Sequence, residues 1–213
     1  MTQGIRVSGG LAILGGPGST PRIIALQYNP DSLSRTLQIQ AVGEGQERSE
    51  AFRVKAPPIE TLKLDAEIDL TDQLESRETN AFAREFGLYP YLAALETIVY
   101  PRAAQLESNN GMAGRGVLEI APMEAPVTLF IWSKHRVLPV RVTDFSITEE
   151  AFDTSLNPIR AKVSLGMRVL SVQDVGFDHR AGRLFMEYLR RKEELAARHQ
   201  SGQITQLGLS QIP

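Results

Sequence analysis

The chain has no cysteine, three histidines and one tryptophan among its 213 residues. The absence of cysteine excludes disulfide scaffolds, cysteine-ligated zinc or iron–sulfur sites and thiol nucleophiles. The histidines, His135, His179 and His199, are not spaced as a metal-binding pair would be. No Gly-x-Ser-x-Gly element marks a serine nucleophile. We therefore expect a non-enzymatic protein without a cofactor.

The chain also has no large excess of positive or negative charge, because 23 Lys and Arg residues nearly balance 25 Asp and Glu residues, for a net charge of -2. A dedicated nucleic-acid binder usually has a basic excess, so we expect no nucleic-acid partner. No apolar run approaches the ~20 residues of a membrane span, and the N-terminus does not resemble a signal peptide. We expect a globular protein that is made in the cytoplasm and does not insert into a membrane.

Two segments rich in polar residues and glycine, 41–51 and 107–116, are predicted to be loops. A third glycine-rich segment, Gly15–Ser19, invites comparison with a phosphate-binding loop. It lacks the Gly-Lys-Ser/Thr ending that such a loop needs, and Pro17 removes one N–H donor. We interpret Gly15–Ser19 as a turn.

The clearest strand of the first half runs from Thr61 to Leu70. Apolar and polar residues alternate over these ten positions, which places one face on a core and a charged face outside. The apolar positions are Leu62, Leu64, Ala66, Ile68 and Leu70. Shorter strands are predicted within 5–14, at 23–28 and around 33–39.

Three strands are predicted in the second half. Val127–Trp132 is a nearly continuous apolar run. In Val137–Thr148 the alternation slips by one residue near Thr143 and Asp144, which predicts a β-bulge. Ile159–Val169 alternates again, with apolar residues on one face and basic or small residues on the other.

Helical spacing occurs in two places. Residues 72–100 contain Phe82 and Phe86 four residues apart and a Leu92, Leu95, Val99 stripe. A second stripe, from Ala181 to Leu189, predicts a C-terminal helix that ends in a weakly ordered tail at 200–213. The predicted fold class is mainly β with helices (α+β). It is an antiparallel split β-barrel of six to eight strands, with one inserted helix and a C-terminal helix.

We expect residues 1–175 to form the barrel domain, with its inserted helical segment at about 72–100, and residues 176–213 to form the helix and tail. The candidate interaction residues all lie on charged strand faces. The acids could be imagined as calcium ligands, but their alternation makes them solvated charges or cross-strand partners of the basic residues. These residues are Asp65, Glu67, Asp69, Arg160, Lys162 and Arg168.

Four short motifs occur in order along the chain. The first is an aromatic residue followed by Asn-Pro-Asp-Ser-Leu-Ser, the second a proline-led alternating strand ending in Asp, and the third Pro-x-x-x-Phe-x-Trp. The fourth is an acidic and aromatic turn followed by Asn-Pro-x-Arg-Ala-x-Val. They occupy 26–34, 58–69, 126–132 and 149–163. Asn-Pro pairs fix turns, because proline restricts φ and asparagine bonds its own backbone.

Together these motifs resemble the tube-like baseplate-adaptor proteins of phage-tail-like contractile injection systems. The resemblance implies a tail-tube barrel and a structural role joining the inner tube or tube-initiating ring to the central spike. It also implies a homo-oligomeric ring, with other baseplate and tube proteins and the spike as partners. Arg160 and Lys162 would be the leading candidates for subunit or spike contacts. Members of this family often carry a C-terminal LysM module, whereas we expect this sequence to end in the predicted helix and tail without one.

Two alternatives remain open from the sequence. A small-molecule-binding β-barrel would use Phe130 and Trp132 to line an interior pocket. A peptidoglycan- or membrane-associated enzyme of the injection system would need an acid pair beside a histidine or a metal motif, and the sequence shows neither.

Overall fold

A computed structural model of the chain describes residues 8–15, 20–41, 54–71, 74, 81–115, 125–199 and 202. Seven strands lie in this part of the chain: β1 (Gly10–Leu14), β2 (Arg22–Ala25), β3 (Ser34–Ala41), β4 (Val54–Asp69), β5 (Val127–Ser133), β6 (Arg136–Phe152) and β7 (Pro158–Val169). The helices are α1 (Ala81–Phe86), α2 (Tyr89–Glu96), α3 (Ala103–Gly114), α4 (Val172–Val175) and α5 (Arg180–Ala197). The predicted mainly-β fold with helices is confirmed.

The seven strands form one sheet in the order β2-β1-β5-β6-β7-β4-β3. All of its neighbouring strands run antiparallel, as predicted. Within the described residues, β2 and β3 are the two edges and do not pair with each other. The sheet is therefore open, and the predicted barrel closure is not confirmed.

A side chain links the two halves of this open sheet. Gln27, just after β2, donates from Nε2 to the carbonyl oxygen of Asp69 at 2.5 Å, and its Oε1 accepts the Asp69 backbone N–H at 3.0 Å. These two bonds reproduce the pair that a neighbouring strand would make. The side-chain amide thus takes the place of a strand beside the end of β4, where the pairing with β3 has already stopped at Lys63.

The main core lies on one face of the sheet, called the inward face here. β4 and β7 pair in unbroken register from Thr61 opposite Arg168 to Asp69 opposite Arg160. This register aligns the apolar positions of both strands, all of them buried: Leu62, Leu64, Ala66, Ile68, Ala161, Val163, Leu165 and Met167. The alternation predicted for Thr61–Leu70 is confirmed, although β4 begins earlier, at Val54.

The predicted β-bulge is present in β6. The register against β7 shifts between Val142 and Asp144, so that Asp144 lies opposite Gly166. A Cβ atom on Gly166 would come within 2.6 Å of the Asp144 carboxylate, which explains why glycine occupies this buried position. The bulge returns Phe145 and Ile147 to the inward face, where they pack against the core.

The inserted region contains more helix than the single element predicted. α1 and α2 are separated by Gly87, which has a φ of 55°, a conformation that favours glycine. A Cβ here would lie 2.6 Å from the Pro158 carbonyl oxygen. The adjacent Leu88 N–H donates to that same oxygen at 2.9 Å. The helix pair is thereby attached to the start of β7, and α2 buries Leu92 and Leu95.

The loop predicted at 107–116 is wrong for most of its length. Helix α3 covers Ala103–Gly114 and has no buried residue. Its first turns contain alanine, glutamine and leucine, which favour helix strongly enough to outweigh the later asparagines and glycine. Assigning glycine-containing polar segments to loops fails here, because an exposed helix tolerates a single glycine such as Gly111 at a cost of about 1 kcal/mol in stability.

The C-terminal helix is confirmed as α5. Its N-cap is His179, whose Nδ1 accepts the Ala181 N–H at 3.2 Å. Phe185 and Tyr188 join the core of the sheet. Residues 42–51 of the first predicted loop, 16–19 of the glycine-rich turn and all of the predicted tail except residue 202 lie outside the described residues.

The close approach at the bulge is tested by Gly166→Ala. We expect a loss of about 1–3 kcal/mol in unfolding free energy, because the new methyl group overpacks against Asp144. Gly111→Ala is the matched control: nothing lies within 4 Å of its added Cβ. That change should be neutral or stabilising by about 0.5–1 kcal/mol. Urea unfolding measures both, and equal effects would contradict the assigned register.

Candidate interaction surface

The outward face of β4 and β7 is charged. Among its described residues, Arg160 has the most acidic partners. The Arg160 guanidinium binds the Asp69 carboxylate through Nη2 at 2.7 Å and through Nε at 2.8 Å. Its Nε also lies 3.8 Å from Glu67. The two strands place Asp69 directly opposite Arg160. The expected cross-strand pairing is thus present for this arginine.

The other basic residues bind acids outside β4. Lys162 lies opposite Glu67 in register, but its Nζ donates to Glu150 of β6 at 3.0 Å. Arg168 binds Asp174 of α4 at 2.6 Å. The third acid of β4, Asp65, accepts a hydrogen bond from Ser164 at 2.5 Å. The three basic residues of β7 thus bind acids on three different elements, which are β4, β6 and α4.

Hydrogen bonding sets the protonation of the Asp69–Arg160 pair. The Thr71 hydroxyl and backbone N–H both donate to Asp69 Oδ1, at 2.5 and 2.8 Å. These bonds, with a smaller contribution from Arg160, hold the pKa of Asp69 below its ordinary value. The Asp69 carboxylate in turn raises the pKa of Arg160. Both groups are therefore charged at neutral pH, and they form an ion pair on the outward face of the sheet.

The two aromatic residues considered for a ligand pocket lie elsewhere. Phe130 is fully buried in the core, and Trp132 stacks on it with ring centroids 5.8 Å apart. A Cβ on Gly9 would come within 2.8 Å of the Trp132 ring, so the backbone packs closely against the indole. Phe130 contributes to core packing, and this arrangement does not support the small-molecule alternative.

A buried carboxylate was missed by the sequence reasoning. Glu60 is 3% exposed and accepts hydrogen bonds from the Tyr188 hydroxyl and from Lys192 Nζ, both at 3.1 Å. Arg35 Nε lies 3.7 Å away. The alternation of β4 could have predicted its burial, because Glu60 lies two residues before Leu62 and therefore on the same, inward face. These contacts attach α5 to the sheet.

Among the described residues, two of the three most exposed large apolar side chains lie on a hairpin arm, defined here as β3 together with residues 54–60 of β4. The arm extends past β7, which pairs with β4 only from Thr61 onward. Ile39 is 75% exposed and Val54 69% exposed on this arm. Apolar side chains on an open strand edge are typical of contact surfaces between proteins.

A second exposed apolar cluster lies at the turn between β6 and β7. Leu156 is 73% exposed and has a φ of 64°, and Phe152 is half exposed. Asp153 fixes this turn by accepting hydrogen bonds from the Ser155 and Asn157 N–H groups. The bonds to Asn157 hold the pKa of Asp153 below its ordinary value. Side-chain hydrogen bonds thus hold the turn in place, and the turn presents apolar groups to solvent.

Within the described residues, no group of three histidine, aspartate or glutamate side chains could hold a metal ion. Over the same residues, no helix is both long and apolar enough to cross a membrane.

Comparisons with known proteins give little beyond this geometry. No protein-family model matches the chain, and no curated protein matches it. Among solved structures, a chain from the tail of an empty GTA particle with C6 symmetry aligns with a TM-score of 0.30 and 10% identity. The alignment covers 76% of this chain and 90% of that one. A TM-score of 0.30 is too low to support an argument about fold or function.

The Asp69 contacts are tested by Asp69→Asn. Because the folded-state pKa of Asp69 lies below the unfolded value near 3.8, its stabilisation is complete above that value and is lost as pH falls through the folded pKa. We expect the wild type to be more stable than the variant at neutral pH. That difference should shrink progressively below about pH 4. Chemical unfolding across the pH series measures it.

Glu67→Gln is the control for Asp69→Asn, because Glu67 lies 3.8 Å from the same arginine. It should change stability less at neutral pH. A difference between wild type and Asp69→Asn that stays constant down to pH 2 would contradict the assigned hydrogen bonds.

The anchoring of α5 is tested by Glu60→Gln. We expect a loss of about 1–3 kcal/mol, because the change weakens charge-assisted bonds to Tyr188 and Lys192 in a buried setting. Hydrogen exchange should accelerate more in α5 than in β7. Glu187→Gln, on the exposed side of α5, is the control and should leave exchange unchanged. Equal protection of α5 in wild type and Glu60→Gln would rule out this anchoring role.

Proposed function

We propose that the chain is a structural, non-enzymatic subunit of a phage-tail-like contractile injection system. In this proposal it joins the inner tube, or the ring that initiates the tube, to the central spike and baseplate hub. Its partners are further copies of itself in a ring, neighbouring tube and baseplate proteins, and the spike. The observation that carries the proposal is the placement of the four ordered motifs in one antiparallel sheet.

Each motif coincides with a distinct part of the sheet. The first forms the link from β2 to β3, the second is most of β4, the third is nearly all of β5, and the fourth is the turn from β6 into β7. Asn157 in the fourth motif donates to the Glu85 carbonyl at 3.2 Å and so connects the strand turn to α1. Residues that carry the resemblance therefore also determine the local structure.

The exposed apolar groups support a role in assembly. The arm presents Ile39 and Val54 at one edge of the sheet, and the β6–β7 turn presents Leu156 and Phe152 elsewhere. These surfaces differ, so contact between one surface and a different surface of the next copy would be heterologous. A heterologous contact that closes on itself produces a ring. The charged face, with Arg160 and Lys162, would then be directed to a lumen or to a partner.

The assembly proposal predicts that Ile39→Asp prevents incorporation of the chain into particles. Ile39 is mostly exposed, so a charge there should leave the isolated fold intact while weakening an apolar contact between proteins. In cells that make the particle, a tagged variant should be recovered with sedimented particles at least about tenfold less than the wild type, as expected when a central apolar contact worth ~1.4 kcal/mol or more is lost.

Gln38→Asp is the matched control, since it adds the same charge one residue away on the opposite face of β3. It should be incorporated like the wild type. Thermal melting of both purified variants should match that of the wild type. The proposal would be refuted if Ile39→Asp were recovered in particles as well as the wild type. It would also be refuted if the unmodified chain were found in no sedimenting particle.

A further inference from the structure

The chain around the β6–β7 turn holds two residues in an unfavourable backbone conformation. Ala151 and Leu156 have φ values of 51° and 64°, and they are the two non-glycine residues with positive φ in the described part of the chain. This conformation is costly for a bulky side chain such as leucine. Leu156 is nevertheless mostly exposed, so burial within its own chain offsets little of that cost. Strained residues of this kind cluster at functional sites.

Hydrogen bonds impose this conformation on the turn. The Asp153 carboxylate accepts the backbone N–H groups of Ser155 and Asn157 at 2.7 and 2.9 Å. The Leu156 N–H donates to the Asp153 carbonyl oxygen at 3.1 Å. Asn157 Nδ2 donates both to Asp153 and to the carbonyl oxygen of Glu85 in α1. The exposed leucine is therefore fixed beside the end of α1.

Helix α1 adds exposed aromatic side chains next to this turn. Phe82 and Phe86 are both exposed, and their ring centroids lie 4.9 Å apart. Phe152 lies opposite Pro158 in register, and the Pro158 carbonyl oxygen accepts the Leu88 N–H just after α1. Neighbouring exposed apolar groups typically mark sites of contact with another protein. The aromatic patch is defined here as Phe82, Phe86, Phe152 and Leu156.

The arm lies at the opposite end of the same strand pair. β4 and β7 pair from Thr61 to Asp69, which separates the arm from the turn by roughly 25 Å at about 3.3 Å per residue. The arm therefore cannot cover the aromatic patch of its own chain. The three most exposed large apolar side chains of the described residues are divided between the two surfaces, with Ile39 and Val54 on the arm and Leu156 on the patch. Each surface offers apolar area that the other could bury in a second copy.

Charge and backbone chemistry favour a contact through the side chains of the arm. Lys55 on the arm and Glu85 beside the patch are both exposed, and neither forms an ion pair with a described residue. Their opposite charges are complementary. Pro57 and Pro58 remove two N–H donors from the part of β4 that belongs to the arm. This strand is therefore poorly suited to extend another sheet, whereas its side chains remain accessible.

We propose that the arm of one copy of this chain binds the aromatic patch of a second copy. In this contact Ile39 and Val54 of the arm pack against the patch, and Lys55 approaches Glu85. Two different surfaces meet, so the contact is heterologous and continues from copy to copy until a ring closes. The inference rests on the proposed role as a ring subunit, and it identifies the two surfaces that meet.

The absence of cysteine allows this contact to be trapped as a disulfide. Purified full-length Val54→Cys is mixed with Leu156→Cys and oxidised with glutathione disulfide. Because docking makes the reaction of the two thiols effectively intramolecular, the mixture should form linked dimers at least about tenfold faster than a control mixture. The control combines Val54→Cys with Gln105→Cys, since Gln105 is an exposed position of α3 outside both surfaces.

Equal rates in the two mixtures would overturn the proposal. Dimers that form as fast from Val54→Cys alone or from Leu156→Cys alone would also overturn it, because identical surfaces would then meet. The result is separable from the proposed function. If no cross-link forms but the wild type is recovered with sedimented particles, the contact is refuted and the role in the particle is not. If the cross-link forms but the chain is found in no particle, the role is refuted and the contact stands.

Leu156→Gly separates binding from folding. Glycine suits the positive φ, so this variant should melt at the same temperature as the wild type or higher. It also removes the apolar side chain from the patch. The rate of disulfide formation between Val54→Cys and Glu85→Cys should therefore fall at least about tenfold when the Glu85→Cys chain also carries Leu156→Gly. An unchanged rate would contradict the proposal, and so would a lower melting temperature, since Leu156 would then stabilise its own chain.

Discussion

The nine-residue register between β4 and β7 is the constraint on which the rest of the structure depends. Because successive side chains of a strand point to opposite faces, a slip of one residue would exchange the leucines and valines of these strands for aspartate, glutamate, arginine and lysine. Burying those charges would cost far more than the few kcal/mol by which a domain is stable. The register therefore fixes the core and the charged face together.

The neighbouring elements adjust to this register. β6 keeps its apolar residues inward over 17 residues only by inserting a bulge at Thr143, and Gly166 leaves the space which that bulge requires. On the other side of β4, the inward parity that buries Leu62 also buries Glu60. The cost of that buried carboxylate is offset by bonds to Tyr188 and Lys192 of α5. The three most exposed large apolar side chains of the described residues lie on the arm and the β6–β7 turn, where no described element covers them.

Local alternation made much of this fold predictable. The strand from Thr61, the bulge near Asp144 and the helix that begins after His179 all follow from periodicity or capping, which act within a few residues. Long-range relations were harder to predict. The exposed helix α3 contributes nothing to the core and has no periodic stripe to reveal it. Closure of a barrel depends on whether distant edges meet, and here the Gln27 side chain bridges where a strand pair was expected.

The candidate surface was only partly predictable for the same reason. Opposite charges at Asp69 and Arg160 could be matched from the sequence once the two strands were assumed to pair. The diversion of Lys162 to Glu150 and of Arg168 to Asp174 depends on β6 and α4, whose positions no local pattern specifies. Likewise, Arg141 of β6 lies opposite Arg168 of β7 because of the register that precedes the bulge. That register is a property of two strands rather than of one.

We propose above all that this chain is a structural subunit that contacts its neighbours in a tail-like particle. Electron microscopy of the intact particle at a resolution that separates strands tests it most directly. We expect density for the seven-stranded sheet between the tube and the spike, with the arm of each copy against the next copy in the ring. Particles whose tube–spike junction is fully occupied by other chains would contradict it.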